Sequence, residues 1–278
     1  VSEAPSPSRA RLALAWLLWL VGSCLGTVCG IGGGTFATPI QHYLLGIPLR
    51  QSVSNSLVLV FAMTLVATLV EAARGDGAID WTVVGLLLVG SIPGTQIGYA
   101  WGKRVEVRTL KLLFVVLLLV AAVRTATLRG QGGPLEHPGD VDLGSWGAAL
   151  TVLIGFGGGF IAPLLGIGGG ILVIPLLFLM LPDMSYLEAR AASLAMSIVN
   201  SGQSVWLSVR DGRIQLERTA PMAALAVVGA LGGAWLVHLP GWGEVARLAL
   251  TAILVFVAAR FALDVRKARQ ARAGTRTE

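Results

Sequence analysis

Two stretches with no charged side chain constrain this chain more than any other feature. Between Arg11 and Arg50 lie 38 uncharged residues, and between Asp142 and Asp183 lie 40. Charged residues make up 13% of the chain and apolar ones 55%, whereas a soluble domain carries roughly 25% charge. No soluble core buries runs of that length with so little solvating surface, so the chain belongs in a bilayer. Disordered, fibrous and disulfide-stapled classes are excluded by the same composition. With 3 His and 2 Cys, there is little material for a metal or redox centre, and no cofactor is expected.

The other uncharged runs are spaced like membrane segments. Arg50 to Glu71 encloses 20 residues, Asp80 to Lys103 encloses 22, and Lys111 to Arg124 encloses 12. After the 40-residue run the second half gives 19 from Arg190 to Arg210, 25 from Arg218 to Glu244 and 12 from Arg247 to Arg260. A span needs about 20 mostly apolar residues; the two short runs cross if their flanking cations snorkel to the interfaces. Motifs repeat along with the lengths. GIGGG at Gly30–Gly34 recurs at Gly166–Gly170, with Pro39 and Pro175 following at the same distance. Ser56-Leu57 recurs as Ser193-Leu194, and Asp76-Gly77 as Asp211-Gly212. The chain reads as an all-α polytopic bundle of two membrane repeats, 12–125 and 144–263, joined by a Pro- and Gly-containing loop over 126–143.

The first run of each half is either one span broken at GIGGG, which gives parallel repeats, or a hairpin that returns to its starting side, which gives inverted ones. The positive-inside rule favours the hairpin. With the N-terminus inside, a hairpin puts 16 of the 21 Lys and Arg on the cytoplasmic side, whereas a broken span strands Lys103, Arg104, Arg108 and Lys111 outside. The expected layout is a cytoplasmic segment 1–11, an extracytoplasmic linker and a cytoplasmic tail 264–278. Each half opens with a glycine-broken, re-entrant or tilted helix pair followed by three transmembrane helices. Leu12–Leu20 resembles a signal-peptide core, but it reads better as the first membrane segment, because cleavage would remove the counterpart of Trp146–Leu165. Cys24 and Cys29 read as small apolar packers. The basic tail reads as an anchor on anionic headgroups, so lipids and not nucleic acid are its expected partners; the sequence leaves a homodimer open.

In hydrocarbon, non-helical backbone survives only inside protein or beside a polar cavity. Each GIGGG is such a break. The residues after it, Thr35-Phe36 and Ile171-Leu172, open a helix whose first N–H groups lack intrahelical acceptors, and those donors with the helix dipole favour a small anion. Paired interruptions at matching positions are how duplicated transporters build a central site. A phosphate loop is excluded, since no Lys-Ser or Lys-Thr follows the glycines. The plain alternative is close helix packing through small residues.

Polar residues inside the runs extend the candidate site, because they are costly there. The first half offers Gln41, His42, Asn55, Ser56, Thr95 and Gln96; the second offers Ser193, Asn200, Ser201 and Gln203. Taken singly, each suits an interhelical hydrogen bond; as a group, neutral donors suit an oxyanion. No Asp or Glu lies within a run, so carboxylate-based proton or sodium coupling has no evident carrier. His238 reads as an outer-loop residue.

The duplicated GIGGG with its following proline, the Ser-Leu of the next span and the eight-run layout resemble the TauE/SafE family of sulfite and organosulfonate exporters, over about Leu12 to Leu263. The resemblance implies a multi-pass permease of a bacterial or archaeal inner membrane that moves sulfite, thiosulfate or sulfonates. It carries the family glycines onto Gly30, Gly32, Gly33, Gly34, Gly166, Gly168, Gly169 and Gly170, and the polar pair of the next span onto Asn55, Ser56 and Ser193. The halves differ nearby: Gln41-His42 correspond to Leu177-Phe178, and Asn55 to Ala192. Most polar contacts are therefore expected from the first half. Phe36, Phe178 and Trp206 are candidate walls for an organic remainder.

Overall fold

The computed structural model describes residues 9–75, 77–102, 143–181, 184–214 and 216–239, positions 119 and 123, and most of 241–259. Apart from Leu143, Leu119 and Val123, the expected linker and the first 12-residue run lie outside the described residues, as do the basic tail and the Lys103–Lys111 cluster. Among the described residues every regular element is helical. The first half holds α1 (Arg9–Val28), the short α2 (Gly34–Pro39), a π-helical turn (Ile40–Leu44), α3 (Leu49–Arg74) and α4 (Trp81–Trp101). The second holds α5 (Gly144–Leu165), α6 (Gly170–Met180), α7 (Tyr186–Arg210) and α8 (Leu216–Leu236).

Local chemistry sets the ends. Asp80 caps α4 by accepting from the N–H groups of Thr82 (2.8 Å) and Val83 (3.1 Å), and Ser185 with Glu188 forms a reciprocal capping box at the start of α7. Pro39 brings no N–H to the ladder, and the chain beyond it winds as a π turn rather than extending α2. Gly30, Gly32 and Gly33 take φ values of 71°, 75° and 62°, and Gly166, Gly168 and Gly169 take 72°, 74° and 94°. This left-handed backbone is open to glycine and strained for other residues, so the two breaks share one conformation, position by position.

Side-to-side contacts fix the helix directions. A Cβ at Gly26 would sit 2.6 Å from Gly33 Cα, and one at Gly22 would sit 2.9 Å from Phe36 Cβ. In a straight helix Gly22 and Phe36 would be about 21 Å apart, so α2 doubles back along α1. α1 and α8 run parallel, with Trp19 Nε1 donating to Met222 O (2.8 Å) and Gly233 seated against Cys24 and Thr27. α4 and α5 are also parallel: Gly90 meets Val152, Gly94 meets Phe156 and Gly98 meets Phe160. α7 runs with α4, through Thr95 to Asn200 and Tyr99 to Leu207. It runs against α3, where Glu71 meets Arg190 and Phe61 meets Gly202. α3 and α8 pack together with their C-terminal ends meeting at Glu71 and His238. Thus α1, α3 and α8 point one way and α4, α5 and α7 the other.

Five of these helices are long and apolar enough to cross a membrane: α1, α3, α4, α5 from Trp146 and α8 from Thr219. α7 is as long but polar, and its Ser193, Ser197, Asn200, Ser201, Ser204 and Ser208 are all fully buried. Meanwhile Val89 is 64% exposed and Leu153 65% exposed. Polar inside and apolar outside is a stable arrangement in lipid, where the outer faces meet hydrocarbon. Exposed Trp81 and Trp101 sit at the two ends of α4, about 30 Å apart along a helix, the thickness of the hydrocarbon layer, as expected for interfacial anchors.

The α4–α5 contact depends on the absence of side chains. A Cβ at Gly90 would lie 1.9 Å from Val152 O, whereas one at Gly85 meets nothing within 4 Å. We expect Gly90→Ala to destabilise the protein by about 1–3 kcal/mol through overpacking, and Gly85→Ala to be neutral or to stabilise it by up to about 1 kcal/mol through helix propensity. Thermal unfolding of the two variants in detergent checks this; equal midpoints would contradict the packing.

Candidate functional site

The two glycine turns meet. A Cβ on Gly34 would lie 1.9 Å from Gly166 O, and one on Gly170 would lie 2.6 Å from Gly30 O. α2 and α6 therefore begin at one crossing, and neither has a side-chain cap. The carbonyls that the breaks leave without helical donors are served from the opposite half: Ser56 Oγ donates to Gly166 O (3.0 Å) and Ser193 Oγ to Gly30 O (2.9 Å). On the second turn, Ser197 Oγ (3.1 Å) and Asn200 Nδ2 (3.4 Å) both donate to Gly168 O. The Asn200 side-chain oxygen accepts from Thr95 Oγ1 (3.3 Å). Backbone groups lacking partners at this depth would each cost several kcal/mol, so this exchange across the halves holds the crossing together.

The remaining residues expected at the site are distributed around the crossing. Thr35 opens α2 and Phe36 packs against Gly22 of α1. Ile171 is a buried core residue beside Gly170. Gln41 is 1% exposed, and among the described residues neither of its amide atoms has a partner; the same holds for Thr35 Oγ1 and Gln203 Oε1. His42 is turned to the loop, with Nδ1 2.9 Å from Ile47 O. Asn55 is buried on α3. Gln96 and Gln203 both line an open pocket of about 510 Å³ where α4 and α7 end, together with Tyr99, Trp206, Arg210 and Asp211; Gln96, Trp206, Arg210 and Asp211 are exposed. Gln203 is one turn along α7 from Asn200, so the cavity stands one helical turn from the second glycine break. Trp206 is a cavity wall; the side chain of Phe178 lies outside the described residues.

A buried charge cluster stands at the other end of the crossing, and here the structure corrects the sequence. Glu71 and Arg190 mark the ends of uncharged runs, but both lie inside the protein, 2% and 0% exposed. The guanidinium of Arg190 pairs through Nη1 with Glu71 Oε1 and donates through Nε to Thr27 O (2.9 Å). Glu71 Oε2 lies 2.9 Å from His238 Nε2, so His238, in the turn after α8, is also a partner of this cluster. A carboxylate is therefore present within the membrane body after all. Arg190 Cγ is 2.8 Å from where a Cβ of Gly30 would be, which puts the cluster directly against the first glycine turn. The hint in the sequence is two long helices, α3 and α7, each carrying a charge one turn inside its end.

A family model described as "Sulfite exporter TauE/SafE" matches residues 2–125 and 151–278, one block for each half. Among curated proteins, the chain is 31% identical over 106 residues to "Probable membrane transporter protein MamO" of Magnetospirillum gryphiswaldense, covering 36% of this chain and 17% of that protein. It is 26% identical over 118 residues to "Probable membrane transporter protein YjnA" of Bacillus subtilis, covering 42% of this chain and 46% of that protein. The matches thus span less than two thirds of either relative. No solved structure matches.

The crossing carries its own stability test. Ser193→Ala removes the donor to a buried carbonyl and should cost about 1–3 kcal/mol. Ser91 is equally buried, but its hydroxyl has no partner among the described residues, so Ser91→Ala should be close to neutral. Comparison of their unfolding midpoints checks the assignment; a Ser193→Ala protein as stable as wild type would remove the hydroxyl from its proposed duty.

Proposed function

The chain belongs to the sulfite exporter TauE/SafE family, and from that premise we propose that it is a secondary transporter of a small sulfur-containing anion. Sulfite, thiosulfate and organosulfonates are the substrate class. The observation that carries the reading is the meeting of two interrupted segments, one from each half, at a single buried crossing. The halves form inverted repeats in a bacterial or archaeal inner membrane, with both termini cytoplasmic. The opposite directions of α1 and α5, of α3 and α7, and of α4 and α8 support this, as does the count of basic residues. In that orientation the cavity between α4 and α7 opens to the cytoplasm and the Glu71–Arg190 cluster lies at the outer end.

A sulfur oxyanion presents several acceptor oxygens and no donor. The groups around the crossing suit it: Thr35 Oγ1, the Gln41 amide and the uncapped start of α6 donate, while Gln96 and Gln203 offer amides at the cavity. Neutral donors hold an anion without trapping it, which a transporter requires. Alternating access then exposes the crossing first to one side and then to the other. The names of the relatives, probable membrane transporters, support a transport role.

Two measurements test the reading. Sulfite, thiosulfate or a sulfonate should raise the unfolding temperature in a concentration-dependent way, by linkage worth about 2.7 kcal/mol at a hundredfold excess over Kd, while chloride should not. In proteoliposomes, labelled substrate should show counterflow; conductance without trans-stimulation would indicate a channel instead. Gly33→Val, which forces a β-branched residue into left-handed backbone 2.6 Å from Met63 Sδ, should insert but lose transport. Wild-type rates in that variant would contradict a role for the glycine turn.

A further inference from the structure

Arg190 is fully buried, yet its hydrogen bonding is incomplete. Nε caps the carbonyl end of α1 at Thr27 O and Nη1 pairs with Glu71, but Nη2 has no partner among the described residues. Thr27 Oγ1, on the residue whose carbonyl Nε binds, is likewise buried without a partner. Nε and Nη2 share one edge of the guanidinium fork, so the unpartnered Nη2 lies on the side of the fork that faces the Thr27 carbonyl. The stem of the Arg190 side chain lies against Gly30 of the first turn. A purely structural arginine would need only the cap and the ion pair. Two further buried donors, with no acceptor among the described residues, call for a ligand made of acceptors.

A buried cation requires a counter-charge at every step, and in this structure Glu71 supplies it. Glu71 is itself shared, because His238 Nε2 is 2.9 Å from its second oxygen. His238, with its side chain 9% exposed, is the member of the cluster nearest to solvent. Among the described residues, the charged groups facing Glu71 are Arg190 from α7 and His238 from the turn after α8. The other titratable groups at this end are engaged elsewhere: Tyr186 Oη donates to Val28 O, Cys29 Sγ points to Ala246 O, and the Glu188 carboxylate accepts from Ser185 N. Arg74, in the last turn of α3, is exposed.

Resting on the transporter reading, we propose that Arg190, with Thr27, is a second binding point for the oxyanion, and that the Glu71–His238 pair takes up one proton when the anion replaces Glu71 on Arg190. The charges require this exchange. An anion and an ionised Glu71 cannot both be neutralised by one guanidinium away from water. A proton on the carboxyl neutralises Glu71; a proton on the imidazole gives Glu71 a new cationic partner. Either way Arg190 is released to the anion, and one proton from the water enters with it. By reciprocal linkage the proton and the anion strengthen each other's binding. Affinity for the anion is therefore lowest at high pH, where Glu71 is ionised and held by Arg190, and rises as pH falls.

The test uses the full chain with methanesulfonate, a monoanion whose charge does not change between about pH 5.5 and about pH 8. Wild-type affinity should rise by up to about tenfold per unit fall in pH within that range, the limit for one linked proton. Glu71→Gln should bind at least as tightly as wild type at the alkaline end and vary less than about twofold with pH. Arg190→Lys, which keeps the charge but loses the fork, should weaken binding about tenfold at the acid end. In wild-type proteoliposomes, which need no variant to fold, uptake of the anion should acidify the lumen as reported by a trapped pH dye. Binding that ignores pH in the wild type, an unchanged pH dependence in Glu71→Gln, or uptake without proton entry would each overturn the coupling while leaving the transporter reading intact. If the wild type neither binds nor takes up any member of the sulfur-anion panel, the transporter reading fails, and this inference with it.

Discussion

The structure depends on the need to satisfy backbone carbonyls where no water can reach them. Glycine breaks release carbonyls deep in the bundle; Gly168 O finds donors in its own half, but Gly30 O and Gly166 O are met from the other half. The second copy supplies the answer through Ser56 on Gly166 O and Ser193 on Gly30 O. Each half thus completes the backbone of the other, and the penalty for leaving a polar group bare in hydrocarbon becomes a force holding the halves in register. The same constraint explains why the polar residues of α3 and α7 face inward while the outer faces are apolar.

Close approach is the second requirement, and glycine meets it in a different way. Along α4 and α5 the contacts are backbone on side-chain-free backbone, repeating every four residues from Gly90 to Gly98. In lipid there is no hydrophobic drive to push helices together, so dispersion at short range and shape fit take its place. The α1–α8 pair uses the same device through Gly229 and Gly233. These two tight pairs flank a centre in which α3 and α7 cross in opposite directions. The glycines of the breaks and the glycines of the packed faces therefore carry different burdens: conformation for the first, volume for the second.

Much of this was visible in the letters. The matched run lengths mark two copies, and the matched Gly30–Gly34 and Gly166–Gly170, with Ser56 and Ser193, mark four pieces that meet in space. Periodicity and motif survive in sequence because they are local. The ion cluster did not show, for a physical reason. Counting uncharged runs treats every charge as the edge of a span, so Glu71 and Arg190 were read as borders. Yet α3 runs on to Arg74 and α7 starts at Tyr186, leaving both charges inside the helices. A charge inside a span is tolerable when another helix neutralises it, and that pairing, 119 residues apart, cannot be inferred from either neighbourhood alone. The pocket is half legible for a similar reason: Gln96 and Gln203 stand out in the sequence as polar residues, but Tyr99 and Asp211, which bond to each other at 2.8 Å, lie in sequence as ordinary ends of helices.

The two ends of the crossing are chemically unlike, and that difference gives the near-symmetric frame a direction. On one side Asn200 and Thr95 lead from Gly168 to an open pocket lined by Gln96, Gln203, Trp206 and the exposed Arg210 and Asp211. On the other, Gly30 adjoins a sealed cluster whose cation is neutralised by a carboxylate. The repeat puts Ser208 at the position of Glu71 and Val53 at that of Arg190, so the buried ion pair has no counterpart at the matching positions. Buried Arg190 cannot be left without a partner, so any rearrangement at this end must bring another negative group to it.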